Sequence, residues 1–126
     1  METFAGGCHC GALRFEVDVD ELKAIDCNCS ICTKKGFLHV IVPREQFRVV
    51  AGAEALSTYT FGTHTAKHHF CRSCGMHAWY VPRSHPDGIS VNLRALDDAA
   101  ARGRFEIQGF DGDNWEQNVA SIREDA

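Results

Sequence analysis

Along the chain, short stretches of alternating or continuous apolar residues are separated by Gly, Pro, Asp or Asn roughly every ten residues, the pattern of short strands joined by turns. It predicts strands over 12–19, 37–42, 47–51, 56–61, 67–71, 77–81, 89–93 and 105–110. The run His39-Val40-Ile41-Val42-Pro43 is apolar without alternation after the histidine, as expected of a strand covered on both faces near the centre of a sheet and stopped by Pro43. Helical signals are few and short: a turn over 30–34, another over 44–47, and one over 97–102 with Asp97 as N-cap ahead of a run of alanines. The expected architecture is mainly β with short helical turns, one domain over 1–126, and a polar tail from Ser121 expected to be mobile.

Composition agrees with one packed domain. At 126 residues, 44% hydrophobic and 24% charged, the chain has material for a single core and lacks the polar, highly charged signature of disorder. A formal charge of −4 without any run of Lys or Arg offers little attraction to a phosphate backbone or an anionic membrane, so neither nucleic acid nor membrane is an expected partner. The residues from Met1 to Cys8 contain no basic or apolar leader, and no apolar run approaches the ~18 residues of a membrane span. Seven cysteines cannot all pair as disulfides, and a reducing compartment keeps them as thiols; the expected location is the cytoplasm.

The cysteines carry the chemical signal. They form three clusters, Cys8-His9-Cys10, Cys27-Asn28-Cys29-Ser30-Ile31-Cys32 and Cys71-Arg72-Ser73-Cys74-Gly75. A tetrahedron of thiolates at ~2.3 Å from zinc puts neighbouring sulfurs roughly 3.8 Å apart, which chelating pairs one or two residues apart reach at little entropic cost. On a straight strand the two sulfurs of C-x-C would stand about 7 Å apart, so the backbone must bend there; Gly6, Gly7 and Gly11 flank the first pair and tolerate that bend. Cys71-x-x-Cys74-Gly75 has the form of a zinc knuckle. Cys8, Cys10, Cys71 and Cys74 together make a closed, structural four-thiolate site that would staple the N-terminal strand to the middle of the sheet. Cys27, Cys29 and Cys32 have no fourth cysteine, the arrangement of a catalytic zinc whose open position takes water or a substrate thiol. The other readings of this trio are a structural site closed by His or Asp and a dithiol redox pair, the latter disfavoured because no βαβ pattern surrounds it.

In Gly7-Cys8-His9-Cys10-Gly11-Ala12-Leu13-Arg14-Phe15, Cys27-Asn28-Cys29-Ser30-Ile31-Cys32, His69-Phe70-Cys71-Arg72-Ser73-Cys74-Gly75-Met76, and Leu96-Asp97-Asp98 followed by Trp115, the sequence resembles the family of glutathione-dependent formaldehyde-activating enzymes, which includes centromere protein V. The resemblance covers nearly the whole chain. It implies a β-tent zinc fold, a structural zinc on Cys8, Cys10, Cys71 and Cys74, and a second zinc on Cys27, Cys29 and Cys32. The activity it implies is the reversible joining of glutathione and formaldehyde into S-hydroxymethylglutathione, a carbon–sulfur lyase reaction. The segment after Cys32 reads Lys34-Lys35, and Val91 to Ala95 stands where many relatives carry a glycine.

Two functions follow as expectations. The first is a zinc-dependent carbon–sulfur lyase acting on a glutathione-like thiol adduct, with Cys27, Cys29 and Cys32 as the catalytic metal site. The alternative is a zinc-stabilised thiol- or protein-binding module without turnover. Among the histidines, His39, His69 and His77 are the best placed for acid–base work, and His68 and His69 must point to opposite faces of a strand. Lys34, Lys35, Lys67 and Arg72 lie near the cysteine motifs and are candidates to meet the carboxylates of glutathione, while Trp115 is a candidate to cap a cleft.

Overall fold

The computed structural model describes residues 1–123. Its strands are β1 (Glu2–Gly7), β2 (Arg14–Val19), β3 (Lys23–Cys27), β4 (Leu38–Pro43), β5 (Phe47–Ala51), β6 (Leu56–Tyr59), β7 (His68–Cys71), β8 (Trp79–Tyr80), β9 (Gly88–Asn92) and β10 (Glu106–Phe110). The helices are α1 (Ser30–Lys35), α2 (Ala99–Arg102) and α3 (Trp115–Arg123), with single 3-10 turns between some strands. The chain is mainly β with short helices, as its patterning predicts.

Three sheets form, in the orders β1-β2-β5, β10-β3-β4-β9-β8 and β6-β7. In the first, Phe15, Val17 and Val19 of β2 face the core, while Arg14, Glu16 and Asp18 face outward. On that outer face Arg48 of β5 grips the Asp18 carboxylate with two nitrogens at 2.9 and 3.0 Å. Gly6 of β1 stands opposite Phe15, and a Cβ there would lie 2.4 Å from the carbonyl oxygen of Ala95 and 2.6 Å from the Phe15 ring, so only glycine lets the ring in.

The second sheet has β4 at its centre, and both of its faces are covered. Val40 and Val42 pair with Val91 and Ile89 and pack into the main core with Leu13, Phe15 and Trp79. His39 and Ile41 look to the other side, with Ile25 of β3 beside His39 and Tyr80 of β8 paired to Ser90. That second face carries the smaller apolar cluster of Cys27, Cys32 and Phe110, under Trp115 and Ile122 of α3. β10 joins the edge parallel to β3 and the remaining neighbours are antiparallel.

Several elements differ from expectation. β1 and β3 have no strong pattern of their own: Glu2 to Gly7 has Phe4 as its one large inward side chain, and Lys23 to Cys27 is interrupted by Asp26. Both acquire strand structure from ladders to better-marked partners, β2 and β4. β2 begins at Arg14 rather than 12, because the residues before it turn around two cysteines. The strand expected over 77–81 contracts to Trp79–Tyr80 plus a bridge at Val81. The helix expected at 97–102 is capped by Asp98, whose carboxylate accepts from the N–H groups of Ala100 and Ala101; Asp97 is paired instead with Arg14. Trp115, Val119 and Ile122 share one face of α3, which runs to Arg123; residues 124–126 of the tail expected to be mobile lie outside the described residues.

Candidate metal centres and the adjoining cavity

Between β1 and β2 the chain reverses around Cys8-His9-Cys10. The N–H of Cys8 bonds the carbonyl of Leu13 at 3.1 Å, that of Gly11 bonds the carbonyl of Cys8 at 3.3 Å, and Gly11 takes the left-handed φ of 83°. This bend brings the two sulfurs to 3.6 Å, and the Leu13 N–H donates to Cys8 Sγ at 3.2 Å. At the end of β7 the N–H of Gly75 bonds the carbonyl of Cys71 at 2.7 Å, with Gly75 at φ 77°. The Cys71 thiol is held below its ordinary value, first by the backbone N–H of Cys74 and further by that of Ser73, against the burial that raises it. Cys10 Sγ lies 3.7 Å from Cys71 Sγ, and the sulfurs of Cys8, Cys10, Cys71 and Cys74 all lie within 4.8 Å of one another. The measured contacts match the roughly 3.8 Å sulfur–sulfur edge of a tetrathiolate zinc site, so four soft donors at this spacing fit zinc. The group joins the β1–β2 turn to the β6–β7 hairpin.

The second group is built where β3 gives way to α1. Cys27 is the last residue of β3, Cys29 is the N-cap of α1 and its sulfur accepts from the Cys32 N–H at 3.4 Å, and Cys32 lies within that helix. Their three sulfurs lie within 4.8 Å of one another. Asn28, between them, is tied to the segment after β10: its N–H bonds the carbonyl of Phe110 at 3.2 Å, its amide donates to Asp111 at 3.2 Å, and its side-chain oxygen accepts from the Asp113 N–H at 3.1 Å. Hydrogen bonds from the Cys27 and Cys32 side chains, then from the backbone N–H groups of Cys32 and Ile31, hold the Cys29 thiol down at about 2, against its burial. The bond to Cys29 is the main effect pushing Cys27 up to about 11. The three thiols thus share hydrogen bonds at close range, and a soft divalent cation is a partner that would let all three ionise together.

These three sulfurs line a cavity of about 340 Å³, within the usual size of small-molecule sites. One wall is an aromatic stack: His68 lies between Phe61, 5.5 Å away and tilted 19°, and Tyr80, 5.0 Å away and tilted 11°. Phe110 and Trp115 also line the space, with Arg83 stacked on the Trp115 indole at 3.8 Å. Behind the wall, Lys35 Nζ meets His68 Nδ1 at 2.8 Å; His39, which also lines the cavity, has its Nδ1 3.0 Å from Ser90 Oγ and 3.2 Å from the Tyr80 hydroxyl. Burial, then the charge of Lys35, pushes His39 down to about 3 and His68 down to about 4, so both imidazoles are neutral. Burial likewise pulls Lys35 down to about 8 and keeps the Tyr80 phenol protonated.

Of the residues singled out in the sequence, all seven cysteines are brought into the two groups, and His39 and Trp115 reach the cavity. His69 does not: it bonds Thr58 at 2.8 Å on the β6–β7 hairpin, and its neighbour His68 takes the inward position. His77 packs on Phe70 instead. Lys34, Lys35, Lys67 and Arg72 are absent from the lining, where the cation is Arg83. Arg83 and Tyr80 carried no sequence signal of their own, and the inward turn of His68 was visible only as one of two alternatives on a strand.

Residues 3–109 match the family described as "Glutathione-dependent formaldehyde-activating enzyme". A Halomonas elongata protein with the provisional name glutathione-dependent formaldehyde-activating enzyme is 32% identical over 101 residues, 73% of this chain and 64% of that protein, so the match spans less than two thirds of the relative's length. A Rhodobacter sphaeroides protein of known crystal structure is 38% identical, with a TM-score of 0.72, over 82% of this chain and 99% of that one. No described helix is long and apolar enough to cross a membrane. With both cysteine groups and, but for the end residues Glu2 and Phe110, all ten strands inside residues 3–109, the chain belongs to the glutathione-dependent formaldehyde-activating enzyme family.

Proposed function

We propose that the protein is a cytoplasmic zinc enzyme that joins formaldehyde reversibly to the thiol of glutathione or a glutathione-like thiol, a carbon–sulfur lyase in the reverse direction. The observation that carries this reading is the convergence of Cys27, Cys29 and Cys32, with sulfurs within 4.8 Å, on one wall of a cavity large enough for a small molecule. Cys8, Cys10, Cys71 and Cys74 would hold a structural zinc and Cys27, Cys29 and Cys32 a second, which when bound would supply a Lewis acid that lowers the pKa of a substrate thiol toward neutral pH.

The chain's own residues do the rest. Phe61, Tyr80, Phe110 and Trp115 exclude water from a small electrophile held beside the sulfurs. Arg83, fixed against Trp115 and 3.4 Å from Glu116, offers a guanidinium to a substrate carboxylate. The thiol's proton is lost, the carbon–sulfur bond forms, and the carbonyl oxygen takes up a proton, leaving a hydroxymethyl thioether.

The test is metal content by elemental analysis on protein purified without chelator, with and without glutathione, beside the rate of S-hydroxymethylglutathione formation and breakdown. Two zinc ions per chain, one lost in Cys29→Ser, and acceleration above the spontaneous reaction that disappears in that variant are the expected results. Two zinc ions with no acceleration would favour a zinc-stabilised thiol-binding module without turnover.

A further inference from the structure

The second face of the central sheet holds a charged group that the proposed chemistry has not used. Lys35 is half-buried, and among the described residues it has no carboxylate partner; its ammonium lies over the ring of Tyr80 at 4.5 Å and donates to His68 Nδ1 at 2.8 Å. An ammonium has only donors, so His68 Nδ1 is the acceptor and the hydrogen of the neutral imidazole is on Nε2. Among the described residues Nε2 has no hydrogen-bond partner, and it is not one of the buried, unpartnered ring nitrogens, which belong to His39, His77 and His85. His68 lines the cavity with Cys27, Cys29 and Cys32, is only 3% exposed, and is clamped between Phe61 and Tyr80. The protein therefore holds one ring in a fixed plane and in one tautomer, with its single free polar atom an N–H donor.

Resting on the function proposed above, we propose that His68 is a catalytic hydrogen-bond donor to the oxygen of the one-carbon unit, and that Lys35 is the positioning residue that keeps the hydrogen on His68 Nε2. As sulfur attacks, the carbon–sulfur bond forms, the π pair of the carbonyl moves onto oxygen, and that oxygen needs a donor until it receives the proton the thiol has lost. In the reverse direction the same N–H bonds the hydroxyl oxygen as the carbon–sulfur bond breaks and the carbonyl reforms. A neutral imidazole suits this work, because it stabilises developing charge without itself having to lose a proton.

The experiment uses the zinc-loaded protein and the variants His68→Phe, His68→Gln and Lys35→Met. His68→Phe keeps an aromatic ring between Phe61 and Tyr80 and removes the donor. Expected are a fall in kcat of about a hundredfold, the magnitude of one lost oxyanion donor, a KM for glutathione changed less than about threefold, and unchanged zinc content. His68→Gln, which keeps an N–H donor, should recover part of the loss. In ¹⁵N-histidine NMR, His68 should be the Nε2–H tautomer in the parent protein and a mixture in Lys35→Met. Its Nε2 resonance should move with glutathione plus formaldehyde and stay in place with S-methylglutathione, which lacks only the oxygen. An Nδ1–H tautomer, equal responses to the two ligands, or full turnover by His68→Phe would overturn the inference and leave the proposed function standing. A parent protein that accelerates nothing and binds neither ligand would instead overturn the proposed function, and this inference with it.

Discussion

Gly112 lies against the sulfur of Cys27 so closely that a Cβ on it would stand 2.4 Å from Cys27 Sγ, 2.9 Å from the Cys29 Cβ and 3.2 Å from the Cys29 backbone nitrogen. The Asp111–Asp113 segment thus forms the outer side of the three-cysteine loop, and the hydrogen bonds of Asn28 hold it there. Its φ is unremarkable, so what requires glycine at 112 is space rather than backbone conformation.

Gly112→Ala should therefore displace Cys27 and Cys29 and selectively weaken the second metal site. Elemental analysis is expected to find about one equivalent of zinc fewer than in the parent, with the four-cysteine site full, and the change in unfolding free energy should be about 1–3 kcal/mol. Two retained equivalents with parental affinity would show that the loop gives way freely.

The two cysteine groups should respond differently to loss of one thiolate. Cys10→Ser opens the group that joins the β1–β2 turn to the β6–β7 hairpin, and its cost, measured by denaturant unfolding, should exceed about 4 kcal/mol because folding and metal binding are linked there. Cys29→Ser should cost no more than about half as much, since its group lies at one edge of the core. Equal losses would remove the distinction between a structural and a substrate-facing site.

Acid should destabilise the protein through its buried neutral histidines. Burial holds His39 at about 3 and His68 and His77 at about 4, below the 6.5 of an exposed ring. Between those values the unfolded chain binds more protons than the folded one, so stability is full above pH 6.5 and falls as the pH drops toward 4. Each such histidine contributes about 1.4 kcal/mol per pH unit in that window. His39→Gln should reduce the slope between pH 6 and 5 by close to one proton, as read from unfolding at fixed zinc content; an unaltered slope would mean that His39 is protonated in the fold.

Arg83 should act on the thiol's acidic end. Arg83→Ala is expected to raise KM for glutathione about tenfold, the worth of one charge-assisted hydrogen bond, with little change in kcat. An uncharged thiol such as 2-mercaptoethanol should show no such change, and a similar KM increase for both thiols would assign Arg83 to holding Trp115 in place.

Much of the β pattern was legible because alternation and turn residues are local. The polar–apolar alternation of 14–19 and the unbroken apolar run of 40–42 locate a half-covered edge sheet and a fully covered central strand without reference to partners. β1, β3 and α3 were not legible, because Phe4, Ala24 and the Trp115–Val119–Ile122 stripe acquire meaning only against the surfaces they cover. Asp97, expected as the cap of α2, is paired instead with Arg14, far away in the chain, and Asp98 takes the capping position.

The grouping of the seven cysteines was determined by the sequence alone, because chelating sulfurs must be close and a spacing of two or three residues with a glycine bend achieves that locally. What only the tertiary structure decided is what surrounds the three-cysteine group: His68 rather than His69, Arg83 rather than the lysines beside the motifs, and Gly112 against Cys27. These residues come from β7, the loop after β8 and the segment after β10, and packing across the central sheet, not proximity along the chain, brings them to the same cavity.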